Sequence, residues 1–538
     1  MLYLEMLMGQ YSNEGPTTLF AHYVPAFQGL GWAMALICFT VAIYYCVVVA
    51  WCFLYFFAII SGETVVWSRC DNVWNDVYCI ETEAMKKCKQ RDPSKPIAFN
   101  GSCIASAIEG LKTPYDQYFT NVMTKRSSGI EHYGGINWST LLALAIIWIF
   151  VGLILLKGYV YLGKAAYVFS VAPFAIVFVV FWRAITLDGA IFGVYYYFGT
   201  PDFYTLLHHE TWTEALMQVC FNLNVGYGGI IVVASYNRRK NNCYKDAWVV
   251  VIATFVMNIF GGVVVFASLG YISKQLNKPI NGIVSSGLSI AFVAYLEAMQ
   301  AMPYSSVWSM FFFAMLFLLG FGSVMVSAET ICTCIYDEWP STRSFKWVIA
   351  FFCSAIHLFF GIIMTTESGF YWFTLLDEFS GSTSLCLIVS MEAFMLMHIF
   401  GHVHVYEIIN EIFGERSGSI LSMLGPHSRL WEICWKFFIP AMGLMHVLFT
   451  VIRKDPKVED YMRREDFPLW ALAVGRCLRL LPLLPVLVFF IVNVIRWRRK
   501  KMSLKTLFFQ PVQTPRDSRS DQKDISSNKS GESGRLPP

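Results

Sequence analysis

Ten stretches of this chain are long and apolar enough to cross a lipid bilayer: about 29–60, 139–156, 164–186, 214–236, 247–272, 306–336, 345–365, 372–400, 429–452 and 468–495. A spanning helix needs about 20 apolar residues with every backbone group bonded internally. An all-α polytopic membrane protein follows, with the lipid bilayer as its first partner. Only 14% of its 538 residues are charged and 56% are apolar, where a soluble domain carries about 25% charged residues. A formal charge of +4 gives no argument for nucleic acid. The opening MLYLEMLMGQ carries Glu5 and no basic start, so it does not read as a secretory leader, and it is too short to span.

Basic residues in short loops mark the cytoplasmic side. Lys157 and Lys164 flank one such loop, Arg238, Arg239, Lys240 and Lys245 fill another, and Arg496, Arg498, Arg499, Lys500 and Lys501 follow the last span. Even numbers of crossings separate these clusters, so all three fall inside and the C-terminus is cytoplasmic. An eleventh stretch, 283–302, carries Glu297 and ends at Pro303. As a span it would put the tail outside, so 277–304 reads as an extracellular re-entrant hairpin. The loop 453–466 sits outside despite five basic residues, which five acids offset. Arg476 and Arg479 lie within the last span, where arginines snorkel or pair with a neighbour.

The region 62–138 is then a long external loop, and 502–538 a polar, disordered cytoplasmic tail. Cys70, Cys79, Cys88 and Cys103 share the external loop, an oxidising setting in which three pairings are open. Asn100-Gly101-Ser102 is a glycan acceptor in the same loop. Asn137-Trp138-Ser139 abuts the membrane and Asn528-Lys529-Ser530 lies in the tail, so neither is expected to be glycosylated.

One span contradicts itself. NLNVGYGG, Asn222–Gly229, places three glycines and two asparagines in the middle of 214–236. Each glycine costs a helix interior about 1 kcal/mol, and buried amides need partners. A helix broken at mid-membrane, with its freed backbone groups facing a cavity, satisfies both; such breaks mark ion and substrate sites in transporters. A glycine-lined packing face between helices is the other reading.

Several motifs, in one order along nearly the whole chain, resemble the sodium- and chloride-dependent neurotransmitter symporter family. LEMLMGQYSNEGP (Leu4–Pro16) is similar to the end of that family's second helix and the following loop, and Pro25–Phe57 to its third helix. VVWSRCDNVWNDVYC (Val65–Cys79), GGINW (Gly134–Trp138) and ITLDGA (Ile185–Ala190) follow. QVCFNLNVGYGGIIVVASYN (Gln218–Asn237) resembles the broken sixth helix, FVAYLEAMQAMP (Phe292–Pro303) the external hairpin, and FTLLDEFSGS (Phe373–Ser382) and WEICWKFFIP (Trp431–Pro440) close the series. The resemblance implies an inverted-repeat, leucine-transporter-type fold, here with about ten complete spans and a partial N-terminal one. Substrate and sodium would bind between helices one, three, six and eight. It also implies that the first helix and half of the second are missing before Met1. Either the sequence is a piece of a longer protein or this version does not transport.

By resemblance, Tyr45 closes over the substrate from helix three, and Asp377 is the outer-gate acid that should pair with an arginine of the missing first helix; both help to close the cavity outwards. Asn222, Asn224, Tyr227 and Ser323 line the substrate. Asn222, Thr254, Leu319 and Ser323 are the sodium set; Thr254 stands where the family has asparagine. Sodium is a hard cation that takes oxygen ligands. Gln218, Asn222 and Asn258 are the chloride set, with Asn258 replacing the usual serine, so chloride use stays open. Gly322 replaces an oxygen-bearing residue at the second sodium site. Cys70–Cys79 would be the family's loop disulfide, with Cys88–Cys103 as a second bridge the family does not require. His402-Val403-His404, His208-His209-Glu210 and Cys332-Thr333-Cys334 lack metal-ligand spacing, and no nucleophile elbow, phosphate loop or paired catalytic carboxylates appear. The expectation is not an enzyme but a plasma-membrane, sodium-coupled symporter importing a small amine, amino acid or osmolyte. The alternative is a transporter-like scaffold or receptor that does not transport. The substrate-selecting residue lies in the missing helix, and homo-oligomerisation is left open.

Overall fold

A computed structural model describes residues 1–62, 67–92, 94–95, 97–99, 102–104, 111–156, 159–276, 280, 288, 290–300, 302–381, 383–414, 425–452 and 467–509. The sequon at Asn100, the loop 453–466 and the tail beyond 509 lie outside them.

The chain opens with α1 (Leu2–Ser12), which stops at Asn13 in the left-handed region (φ 54°), its N–H bonded to the Gly9 carbonyl. A short α2 (Pro16–Tyr23) starts on proline, whose missing N–H costs nothing at a first helical position. Then comes α3 (Gln28–Ile60), apolar on every side and buried along most of its length. A helix apolar all round belongs in the centre of a bundle, and α3 is this molecule's axis. Around it pack α2, α6 (Trp138–Leu156), α13 (Ser305–Glu338) and α21 (Leu484–Arg499).

At one end of the axis the region after α3 forms a cystine-stapled lobe. Cys70–Cys79 and Cys88–Cys103 are both bridged. The second bridge ties α4 (Thr82–Arg91) to the hairpin β1 (Ile97–Phe99) and β2 (Ser102–Ile104). Gln117, on α5 (Pro114–Tyr118), accepts from the Asp76 N–H at 3.0 Å and from Asn75 at 3.1 Å, rooting the smaller ring. Trp67 is fully buried against Tyr55 of α3 and Tyr118. Asn137 is buried, its amide donating to the Met123 carbonyl at 2.8 Å and accepting from Ser139 at 2.7 Å. That side chain is committed to structure.

Nine helical stretches are long and apolar enough to cross a membrane among the described residues, and they match nine of the ten expected segments. After α6 come α7 (Tyr159–Ile185), with Pro173 inside it, and the aromatic α8 (Ala190–Gly199), which packs on α11 (Cys243–Leu276). The tenth segment is the interrupted one, α9 (His209–Asn222) and α10 (Gly229–Ser235). In the stretch read as a hairpin, α12 (Tyr295–Gln300) is six residues long, too short to span, and packs against α11 and α13. Next are α14 (Lys346–Gly361), α15 (Gly369–Ser380), α16 (Thr383–Phe394) and α17 (His402–Phe413). The last are α18 (Arg429–Ile433), α19 (Ile439–Ile452), α20 (Leu469–Leu480), α21 and α22 (Lys505–Phe508). Arg479, unexplained by sequence alone, lies 4.7 Å over the Phe379 ring of α15. Arg496, Arg498 and Arg499 fill the last turn of α21, where cations complement the helix dipole.

At the end opposite the cystines, Gln10 of α1 donates to the carbonyls of Arg239 and Asn241 at 3.0 and 2.8 Å. Nearby, His22 Nδ1 lies 2.7 Å from a Glu14 carboxylate oxygen. That hydrogen bond holds the His22 imidazolium to higher pH than the usual 6.5. A raised folded-state pKa contributes stability that is fully present below the unfolded value and fades as pH rises through the folded one. Both groups face solvent, so the gain is under about 1 kcal/mol. His22→Gln is expected to erase this acid-side increment in thermal unfolding of the solubilised protein. An unchanged pH profile in the variant refutes the pairing.

Candidate functional site

The break is enforced by backbone conformation. Asn224, Gly226 and Gly228 all have positive φ (53°, 83° and 77°), so a right-handed helix ending at Asn222 cannot resume before Gly229. Gly226 has to be glycine for space as well: a Cβ there would stand 2.5 Å from Val389 Cγ2 and 2.8 Å from Leu385 Cδ1. The unwound segment is buried from Val225 to Gly229, so its backbone polar groups need protein partners. They find them. The Gly226 N–H donates to Glu5 Oε1 at 2.7 Å, and the Cys38 thiol of α3 donates to the Tyr227 carbonyl at 3.1 Å. Glu5, fully buried, also faces Glu392 of α16, which is buried as completely.

A second interruption meets the first. Gly381 separates α15 from α16, and a Cβ on it would lie 3.8 Å from both the Tyr227 and the Tyr44 hydroxyls. Tyr44 lies beside Asp377, one turn before Gly381 on α15. Its neighbour Tyr45 points about 100° away round α3, lies beside Ser323 of α13, and sets its ring 6.4 Å from Phe221. Phe221 is in turn 6.4 Å from Tyr227. Phe221 thus links the rings of Tyr45 and Tyr227 beside the unwound backbone, while Tyr44 faces Gly381 from another side of α3.

The structure draws together some of the expected residues and leaves others apart. Tyr45 lies beside Ser323, Tyr227 is buried against Phe221, and the Asn224 amide covers Gly229. Asp377 lies beside Tyr44. Gln218, Asn222, Asn258 and Leu319 are exposed and Thr254 is half-buried, and no hydrogen bond joins Asn222 to Thr254 or Asn258 among the described residues. The Ser323 hydroxyl bonds back to the Leu319 carbonyl at 3.2 Å. Gly322 faces Phe169 at an ordinary 3.4 Å from an added Cβ, which suits a packing role. No group of three metal-binding side chains occurs among the described residues.

Sequence reasoning passed over Glu392, Cys38, Tyr44 and Gly381, and met Glu5 only as an oddity. Two signals were available: carboxylates inside apolar helices, which are functional by default, and the glycine in FSGS.

The profile of the Sodium:neurotransmitter symporter family matches residues 1–497. The sodium-dependent transporter snf-5 of Caenorhabditis elegans is 36% identical over 526 residues, covering 94% of this chain and 71% of that protein. The sodium- and chloride-dependent glycine transporter 1 of Xenopus laevis is 31% identical over 487 residues, covering 88% and 73%. The crystal structure of MhsT in complex with L-phenylalanine superposes with a TM-score of 0.61 at 16% identity, covering 83% of this chain and 87% of that one. At that identity the likeness carries the fold alone, an inverted-repeat, leucine-transporter-type arrangement of helices. With its broken helix, its ordered motifs and these relatives, the chain belongs to the sodium:neurotransmitter symporter family.

Proposed function

We propose that the protein imports a small amino acid, amine or osmolyte across the plasma membrane, coupled to sodium and working by alternating access. The observation that carries this reading is the unwound Val225–Gly228 segment, held by Glu5 and Cys38, with Tyr227 packed against Phe221 and Phe221 against Tyr45. Backbone amides and carbonyls freed by the break, beyond the two held by Glu5 and Cys38, recognise a small zwitterion or cation. Relatives named for glycine and solved with phenylalanine favour an amino acid. Asn222, Thr254, Leu319 and Ser323 are the proposed sodium donors, and Gln218, Asn222 and Asn258 the proposed chloride group. Asp377 closes the cavity together with Tyr44, and Tyr45 caps the substrate from α3. The cystine lobe, with a glycan on Asn100, faces outward and the C-terminus lies in the cytoplasm.

The test is uptake of labelled amino acids and amines by cells expressing the chain, with sodium replaced by a large organic cation as control. Sodium-dependent uptake is expected, falling to background in Asn222→Ala and in Tyr45→Ala. Surface-expressed protein that supports neither uptake nor substrate-induced current would instead mean a non-transporting scaffold.

A further inference from the structure

Cys220 and Cys386 are buried thiols on different elements that meet at the edge of the break. Cys220 sits where α9 ends: its carbonyl accepts the Val225 N–H at 3.0 Å, the first bond of the unwound segment. Cys386 lies on α16, which packs along α19. Its carbonyl accepts the Ser390 hydroxyl at 2.8 Å, and Gly443 of α19 lets that hydroxyl nest between the two helices. α9 and α16 are in contact, and the Cys220 and Cys386 side chains interact where they meet. Both line one cavity of about 150 Å³, otherwise walled by apolar side chains such as Leu216, Val219, Val389 and Met442. Buried cysteines usually serve as small apolar side chains. A thiol pair facing a shared cavity, one member on a half-helix and the other on a packed helix pair, has a second use.

We propose that Cys220 and Cys386 form a reversible disulfide that fixes α9 to α16. The oxidant class is a small peroxide, compact enough for the cavity. One thiol takes an oxygen from hydrogen peroxide, giving a sulfenic acid and releasing water. The other thiol attacks that sulfur, the S–S bond forms, the S–O bond breaks and a second water leaves. Two thiols are oxidised by two electrons and one peroxide is reduced to two waters. A dithiol reductant reverses the step by exchange, leaving two thiols and its own disulfide.

The experiment treats membranes holding the full-length protein with hydrogen peroxide, caps free thiols with N-ethylmaleimide, and maps peptides by mass spectrometry without reduction. A linked pair containing Cys220 and Cys386 is expected, lost on dithiothreitol and absent from Cys386→Ser and, separately, from Cys220→Ser. Recovery of both residues as capped thiols, or as unlinked sulfinic acids, overturns the proposal. The locking consequence rests on the symport reading: peroxide abolishes uptake, dithiothreitol restores it, and uptake by Cys386→Ser resists peroxide. A link that forms without loss of uptake overturns the lock. Absence of uptake in the untreated protein counts against symport alone, since the peptide map still decides the link.

Discussion

Glu5→Ala is expected to destabilise the protein by about 1–3 kcal/mol and to abolish sodium-dependent uptake, while Glu5→Gln retains most of both. The Gly226 N–H is buried and points at Glu5 Oε1. Alanine leaves that donor without an acceptor in a site sealed from water, and the full desolvation penalty of the amide is then felt. Glutamine keeps an oxygen for Gly226 and turns an NH₂ toward Glu392. The thermal midpoint of the solubilised protein and uptake by cells check the two effects separately. Equal damage by Ala and Gln would mean that the carboxylate's charge matters and the hydrogen bond does not. No damage by either would remove Glu5 from the support of the break.

Much of this site was legible before any fold was known. Three glycines and two asparagines in one apolar span left a continuous helix too costly, and the segment is indeed unwound with three positive φ angles. The spans followed from length and hydropathy alone, because the bilayer allows few other solutions. Side-chain direction was less accessible. Tyr44 and Tyr45 are adjacent and chemically identical, and which of them meets Asp377 depends on the rotation of α3 against α15, a property of packing. The Gly381 interruption was hidden inside 372–400 because a single glycine does not by itself end a membrane helix. The pairing of Cys220 with Cys386 is a tertiary contact with no local sequence signature. By contrast, the Cys70–Cys79 bridge was implied by the family's ordered motifs, while the pairing of Cys88 with Cys103, which the family does not require, stayed open until the structure joined them.

The close approach that seats the break makes Gly9→Ala the more damaging substitution, despite adding a good helix former. In an isolated helix the change gains about 1 kcal/mol. Here a Cβ on Gly9 would stand 2.9 Å from the Ile231 Cα and closer still to its carbonyl oxygen. These are backbone atoms of α10 with no rotamer to give way, so α1 and α10 must separate, at about 1–3 kcal/mol for overpacking. Gly9 lies four residues after Glu5, on the same face of α1, so separation also stretches the Glu5–Gly226 bond, another 1–3 kcal/mol or so. The balance is a net loss of about 1–5 kcal/mol, read as a lower thermal midpoint with loss of uptake. Gly261→Ala, in α11, is the control: its added Cβ meets nothing within 4 Å, so only the helix gain remains and the midpoint should hold or rise slightly. Because Gly9 and Glu5 act through one contact, the double variant Glu5→Ala with Gly9→Ala should cost less than the sum of the singles. Strict additivity would mean that the two residues support the break by separate routes.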